Sequence, residues 1–455
     1  RPIDRLTRPF MSFIRHKLAG AALLMAGAAV AVVWANSPWA HSYHHLLETP
    51  VSVGFASATL EKSLHHWIND GLMGIFFFLV GLEIKREVLA GELSSVRKAT
   101  LPAVAALGGM VAPAAFYYVL NPTGPGQAGW GIPMATDIAF ALGVLALLGD
   151  RCPLGLKVFL TALAIVDDIG AVLVIAIFYT DSLSVISLVS GLAFFSLAIG
   201  ANLLRVRDTL VYFGLGTLCW LMFLQSGVHA TIAALLMAFT IPARTRIDGE
   251  DFFARATDEL ADLRRVGVPQ DTELNTNTQQ HILDRMEKII GEASAPLSKL
   301  EHALNPLVTF LVLPVFALAN AGVSLGGDLG AAFTDTITLG ILAGLFLGKQ
   351  LGITSFAWIA VKLRVADLPR GVRWSHVHGA AVLGGIGFTM SLFIAGLAFA
   401  GDDAALEHAK LAILSASVLC GVLGYFLVWR AARAFRRRAE ERAPAGAEAE
   451  SQAAE

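Results

Sequence analysis

The sequence predicts an all-α polytopic membrane protein of about twelve transmembrane helices, with inverted repeats and two discontinuous helices crossing near the membrane midplane. Three observations carry that class. Hydrophobic residues make up 55% of the 455-residue chain and charged residues only 15%, with a mean hydropathy of +0.63, too apolar for an ordinary soluble domain. The apolar residues gather in runs close to the ~20 that a helix needs to cross hydrocarbon. When the runs are threaded alternately, Lys and Arg collect on one side.

In chain order the runs lie near 18–35, 66–84, 100–120, 131–148, 157–178, 182–201, 209–224, 228–242, 300–322, 335–360, 377–399 and 407–429. The first follows Arg1, Arg5, Arg8, Arg15 and Lys17, as a secretory signal would. Its length and the many equally apolar runs after it read instead as an uncleaved first span. Alternation places Lys85, Arg86, Arg97, Lys98, Arg151, Lys157, Arg205, Arg207, Lys362, Arg364, Arg370, Arg373 and Arg430 to Arg438 with the N-terminus. The opposite loops hold Lys62 and Lys410. The bias puts both termini in the cytoplasm.

Residues 1–429 therefore form the membrane domain. Within it, 243–299 is a polar cytoplasmic insert between spans 8 and 9, with a helical pattern in HILDRMEKII that suits a solvated helix or one lying on the membrane surface. Residues 430–455 turn from basic to Ala/Glu-rich and read as a disordered cytoplasmic tail. The formal net charge of −2 gives no sign of a nucleic-acid partner; membrane lipid and small ions are the expected ones. Cys152, Cys219 and Cys420 are spaced too widely for a disulfide framework or metal cluster and read as packed thiols. His41, His44 and His45 read as an external solvated loop rather than a metal site.

Four ionisable residues fall well inside spans, where charge is costly and marks an ion or substrate path: Asp137, Asp167, Asp168 and Lys349. Lys349 lies on the order of 18 Å from either end of its run, too deep to snorkel, and needs a partner. A buried ion pair that only fixes packing is the plainer reading, but three acids against one base leave surplus negative charge, which suits a cation site. Asp167 and Asp168 diverge by about 100° on a helix, so one faces the ion and the other a second partner such as Lys349. Loss of water favours the neutral form of such groups. Protons and a small cation then compete for the same oxygens, which is the chemistry of an antiporter.

The backbone pattern agrees. Gly131 and Pro133 interrupt the fourth span just before Thr136 and Asp137, and Gly384, Gly385 and Gly387 interrupt the eleventh. Unwound segments expose carbonyls that ligate cations and helix ends that carry partial charge. Spans 3–5 and 10–12 run oppositely, each with its irregular helix in the middle, an inverted repeat that points to a central site.

GLEIKRE (81–87), ATDIAFALG (135–143), AIVDDIGA (164–171), SGVHAT (226–231), FALANAGV (316–323), LGKQLGI (347–353) and GGIGFTMSLFIA (384–395) together resemble the NhaA-type sodium/proton antiporters, in order over nearly the whole chain. The resemblance implies an electrogenic, pH-regulated exchanger of Na+ (or Li+) for H+ in the bacterial inner membrane, working by alternating access and serving sodium and pH homeostasis. It implies that Asp167 and Asp168 bind the cation and carry protons, that Asp137 with Thr136 compensates charge between the broken helices, and that Lys349 neutralises the site. Glu83, Arg86 and Glu87 match a cluster linked to pH response, as do His229 and, at the start of the ninth span, Glu301 and His302. The family pattern LEHxLHP reads LEHALNP here, so Asn305 replaces a histidine; this and the long insert bear on the pH profile and leave the transport site intact. No resident cofactor is expected, and segment 37–65 is the candidate homodimer contact.

The chain is thus expected to be a transporter and not an enzyme. A sodium-coupled symporter on the same fold is the alternative. An intramembrane aspartyl hydrolase is a further one, but the Gly-x-Gly-Asp motif of the membrane proteases does not occur.

Overall fold

The computed structural model describes residues 18–55, 58–180, 183–267, 277–326 and 329–452. The basic N-terminal residues 1–17 lie outside the described residues. Each expected span overlaps a helix or a bent pair of helices. Helix α1 (Ala19–Ala35) is followed across a 114° bend by α2 (Ala40–Glu48), on which His41, His44 and His45 are exposed.

Full-length apolar helices follow: α3 (Leu64–Ala90), α4 (Val96–Leu120), α6 (Leu154–Phe178), α7 (Val185–Leu203), α8 (Thr209–Ser226), α12 (Pro296–Asn320), α13 (Thr336–Lys362) and α16 (Asp403–Gln452). Helix α9 (Ala230–Thr240) is shorter than a bilayer crossing. Two spans are interrupted. The 3-10 helix Pro125–Met134 meets α5 (Ile138–Ala146) at 42°, and α14 (Trp374–Leu383) meets α15 (Phe388–Ala398) at 45°. Among the described residues, eight helices are long and apolar enough to cross a membrane, rising to eleven if each bent pair counts once.

One difference from the expected all-α fold stands out. Residues Pro50–Phe55 (β1) and Ala58–Ser63 (β2) pair antiparallel, from Pro50 opposite Ser63 to Phe55 opposite Ala58, so segment 37–65 holds a hairpin as well as α2. Trp67 Nε1 ties the hairpin to α3 through Val51 O at 3.0 Å. Helix α16 runs on past the last apolar run to Gln452, in keeping with the helix preference of the Ala, Glu and Arg there.

The insert forms two helices, α10 (Gly249–Val266) and α11 (Asn277–Ala293). They are joined by Arg285 Nε–Glu259 Oε1 at 2.8 Å, and Ile282 and Ile289 are buried.

Close packing at the centre depends on small residues. Gly344, Gly348 and Gly352 recur every fourth residue on α13; Gly348 and Gly352 face α4, as small-xxx-small membrane interfaces do, and Gly344 sits against Pro133 of the 3-10 helix as well as Pro113 of α4. A Cβ on Gly348 would come within 2.6 Å of Pro113 Cα, and one on Gly352 would run into the Gly108 carbonyl.

A charged centre at two crossed helix breaks

The two interruptions clasp each other. Asp137 is the N-cap of α5, its Oδ1 accepting from Phe140 N at 2.9 Å. Its Oδ2 accepts from Thr389 N at 3.1 Å and Thr389 Oγ1 at 2.6 Å, at the first turn of α15. One carboxylate therefore serves two helix N-termini, where unpaired amides and helix dipoles concentrate positive potential.

The freed backbone groups are also shared. Asp137 N donates to Ile386 O at 2.6 Å, Thr136 Oγ1 to Gly384 O at 2.7 Å and Ser391 Oγ to Ile132 O at 2.8 Å. Irregular backbone at membrane depth persists only with such partners.

Lys349 arrives from the third side. It follows the π-helical turn Ala343–Gly348, where the wider turn re-aims the residues after it. Its Nζ stands 2.6 Å from Asp167 Oδ2, and both side chains are fully shielded from solvent. Asp168, next along α6, is 2% exposed, and Oδ1 of each aspartate is buried without a hydrogen-bond partner among the described residues. Asp168 feels the charges of Asp167, Asp137 and Glu83 against that of Lys349. The structure thus selects Asp167 as the lysine's partner, a choice the sequence leaves open.

The six residues expected to govern pH response divide into three places. Arg86 bridges Glu301 on α12 and, at 3.0 Å, Glu87 Oε1. Glu83, one turn up α3, senses Glu301, Arg86 and Glu87 on one side and Asp168 on the other. His302 is apart from this group, exposed and bonded through Nδ1 to Ser298 O at 2.7 Å, while Asn305 Oδ1 accepts from Thr309. His229 caps the start of α9, with Nε2 2.6 Å from Tyr179 O at the end of α6. Thr389 and Ser391 belong to the centre although charge counting overlooks them. Their signal is two hydroxyls in the first turn after a glycine break.

A helical membrane protein with two aspartates and a lysine shut away from solvent beside a pair of interlocked, interrupted helices belongs to the class of secondary cation transporters. More particularly, the chain belongs to the Na+/H+ antiporter 1 family, whose model matches residues 11–428. It is similar to the Na+/H+ antiporter NhaA of Koribacter versatilis (strain Ellin345), 51% identical over 431 residues that cover 94% of this chain and 93% of the relative. The Na+/H+ antiporter NhaA of Oleidesulfovibrio alaskensis is 49% identical over 428 residues, covering 94% and 95%. The Na+/H+ antiporter NhaA 1 of Saccharophagus degradans is 46% identical over 426 residues, covering 93% and 92%.

Proposed function

We propose that this chain extrudes Na+ or Li+ in exchange for H+ by alternating access, with Asp167 and Asp168 as the shared ligands of cation and proton. The observation that carries this reading is the pairing asymmetry: Lys349 engages Asp167, while Asp168, buried beside them, has no ion-pair partner among the described residues. An uncompensated carboxylate in a low-dielectric site is relieved either by a proton or by a cation. Na+ binding between the two carboxylates displaces the Asp168 proton and loosens Asp167 from Lys349, which then releases a proton of its own. Two protons for one Na+ makes the exchange electrogenic.

Asp137 and Thr136 hold the crossing neutral during that change. The Arg86–Glu301 bridge and Glu83 link the inner face to Asp168 and supply the pH response; His229 and His302 act on it from outside that cluster. The positive-inside bias puts both termini in the cytoplasm, with twelve crossings in the inner membrane of a bacterium. Inverted repeats of spans 3–5 and 10–12 relate the two breaks. The hairpin of segment 37–65 is the surface for a homodimer, with lipid around the rest.

Everted vesicles carrying a preformed proton gradient test the reading. Added Na+ dissipates the gradient in the wild type and leaves it standing in Asp168→Asn. A symporter on the same fold would not discharge it, and normal exchange by Asp168→Asn rejects the site assignment.

A further inference from the structure

Helix α14, the first half of the second interrupted span, starts from a histidine cap. Arg373 is the N-cap, and its N–H donates to Nδ1 of His376 at 3.1 Å, three residues on. A capping box places a Glu or Gln side-chain oxygen at that position. A ring nitrogen accepts only through a free lone pair, so His376 is neutral here and carries its proton on Nε2. That Nε2 is buried with no hydrogen-bond partner among the described residues, and the residue is 0% exposed. The ring lies 6.0 Å from that of Phe435 on α16, and the Arg373 guanidinium stands 4.9 Å over the same Phe435 ring.

The surroundings oppose a second proton. On Nδ1 it would turn an N–H toward the backbone N–H that the ring now accepts from. The new charge would be buried, at the positive end of the α14 dipole and beside Arg373. Among the described residues no other charged group acts on the ring, and α16 presents it with Phe435 rather than an acid.

At its other end α14 reaches the charged centre. Gly379 and Gly424 let it lie close along α16, since a Cβ on Gly379 would come within 2.7 Å of Val428 Cγ2 and one on Gly424 within 2.5 Å of Leu383 Cδ2. Just past the last turn, Gly384 O accepts from Thr136 Oγ1 and Ile386 O from Asp137 N. From His376 to Gly384 is about 12 Å at 1.5 Å per residue. One short, closely packed rod therefore joins the cap to the crossing.

We propose that His376 is a positioning residue for the exchange: its neutral ring fastens α14 to α16, which holds the 384–386 backbone against Thr136 and Asp137, and a proton taken up by the ring undoes the cap and halts transport. The proposal rests on the antiport reading and adds a group apart from the Arg86–Glu301–Glu83 cluster. In water an imidazole takes its proton near pH ~6.5. The fastened state excludes that proton, so acidification below about 6.5 favours the loosened state, by up to about tenfold per pH unit.

Proteoliposomes of the full chain with an internal pH dye test it. His376→Gln supplies an acceptor oxygen that does not titrate. It is expected to exchange at alkaline pH and to retain several-fold more of that rate than wild type does at pH ~6. Identical acid limbs overturn the ionisation. His376→Ala, without an acceptor, is expected to lose exchange several-fold at every pH, and a folded alanine variant at wild-type turnover throughout overturns the positioning role. A wild type with no Na+-dependent proton movement overturns the antiport reading instead. Melting in detergent needs no transport: the wild-type melting temperature relative to that of His376→Gln is expected to fall as pH drops from about 7.5 to about 5.5, and parallel curves overturn the proposal. Should His376→Gln not fold, Arg373→Gln keeps the ring and removes the neighbouring charge. Its acid limb is expected to lie at lower pH than that of wild type, and an unmoved limb overturns the switch.

Discussion

Lys349 Nζ meets Asp167 Oδ2 at 2.6 Å with neither side chain reaching solvent, across 182 positions of sequence. Removing one partner of such a pair leaves the other charge buried and uncompensated, a loss of about 3–5 kcal/mol. Lys349→Ala should therefore melt well below wild type in detergent, and pairing it with Asp167→Asn should recover part of the loss. Equal melting of Lys349→Ala and wild type would show that the contact carries no stability.

Asp168 offers the converse case. Its charged surroundings are mostly acidic, so Asp168→Asn removes repulsion. The variant should melt at or above the wild-type temperature while exchange ceases. Asp167→Asn should lower it, since Lys349 loses its partner. Thermal scans of the two purified variants side by side decide the matter, and the reverse order contradicts the pairing.

The double cap by Asp137 is measurable as a coupling. Losing a cap costs about 0.5–2 kcal/mol, so Asp137→Ala, which strips two helix starts, should cost about 1–4 kcal/mol. Thr389→Val removes only the hydroxyl bond, about 1 kcal/mol. In a double-mutant cycle the Thr389 loss should shrink in the Asp137→Ala background. An unchanged loss means the two do not interact.

The α4–α13 contact leaves no room for a methyl group at Gly352, where the Gly108 backbone lies against the missing Cβ. Gly352→Ala should destabilise by about 1–3 kcal/mol. Gly214→Ala on α8, with nothing within 4 Å of its added Cβ, is the control expected near zero. Matching melting temperatures for the two would refute the tight crossing.

Burial pushes the Cys152 thiol up to about 11, so its thiolate is scarce at neutral pH and grows only as pH climbs toward that value. Cys219 and Cys420 are fully buried as well. Native protein at pH 7.5 should react slowly with maleimide and take up three equivalents once denatured in SDS. Rapid native labelling at Cys152 would contradict its packing.

Several elements of the centre are readable residue by residue. Asp137, Asp167, Asp168 and Lys349 announce themselves because charge in an apolar run is expensive wherever the run folds, and Gly384 to Gly387 mark a break because glycine frees the backbone. Thr389 and Ser391 are not readable this way, since a hydroxyl in a helix commonly bonds its own preceding turn. The hairpin at 50–63 escaped as well: its strands are six residues each, and their alternation is weak beside the long runs around them. His302 shows what the motif alone leaves open, since only the fold turns it to the exposed side of α12, apart from Glu301.

The sequence by itself determined that this chain is a multi-pass membrane protein, where its apolar runs lie, that those at 131–148 and 377–399 break and which charges they carry, because transfer into hydrocarbon depends on side chains counted along the chain. Only the tertiary structure decided that Lys349 chooses Asp167 and that one carboxylate caps two helices. Those outcomes depend on which faces of distant helices meet, and a difference of 100° between neighbouring residues is enough to exchange one partner for another.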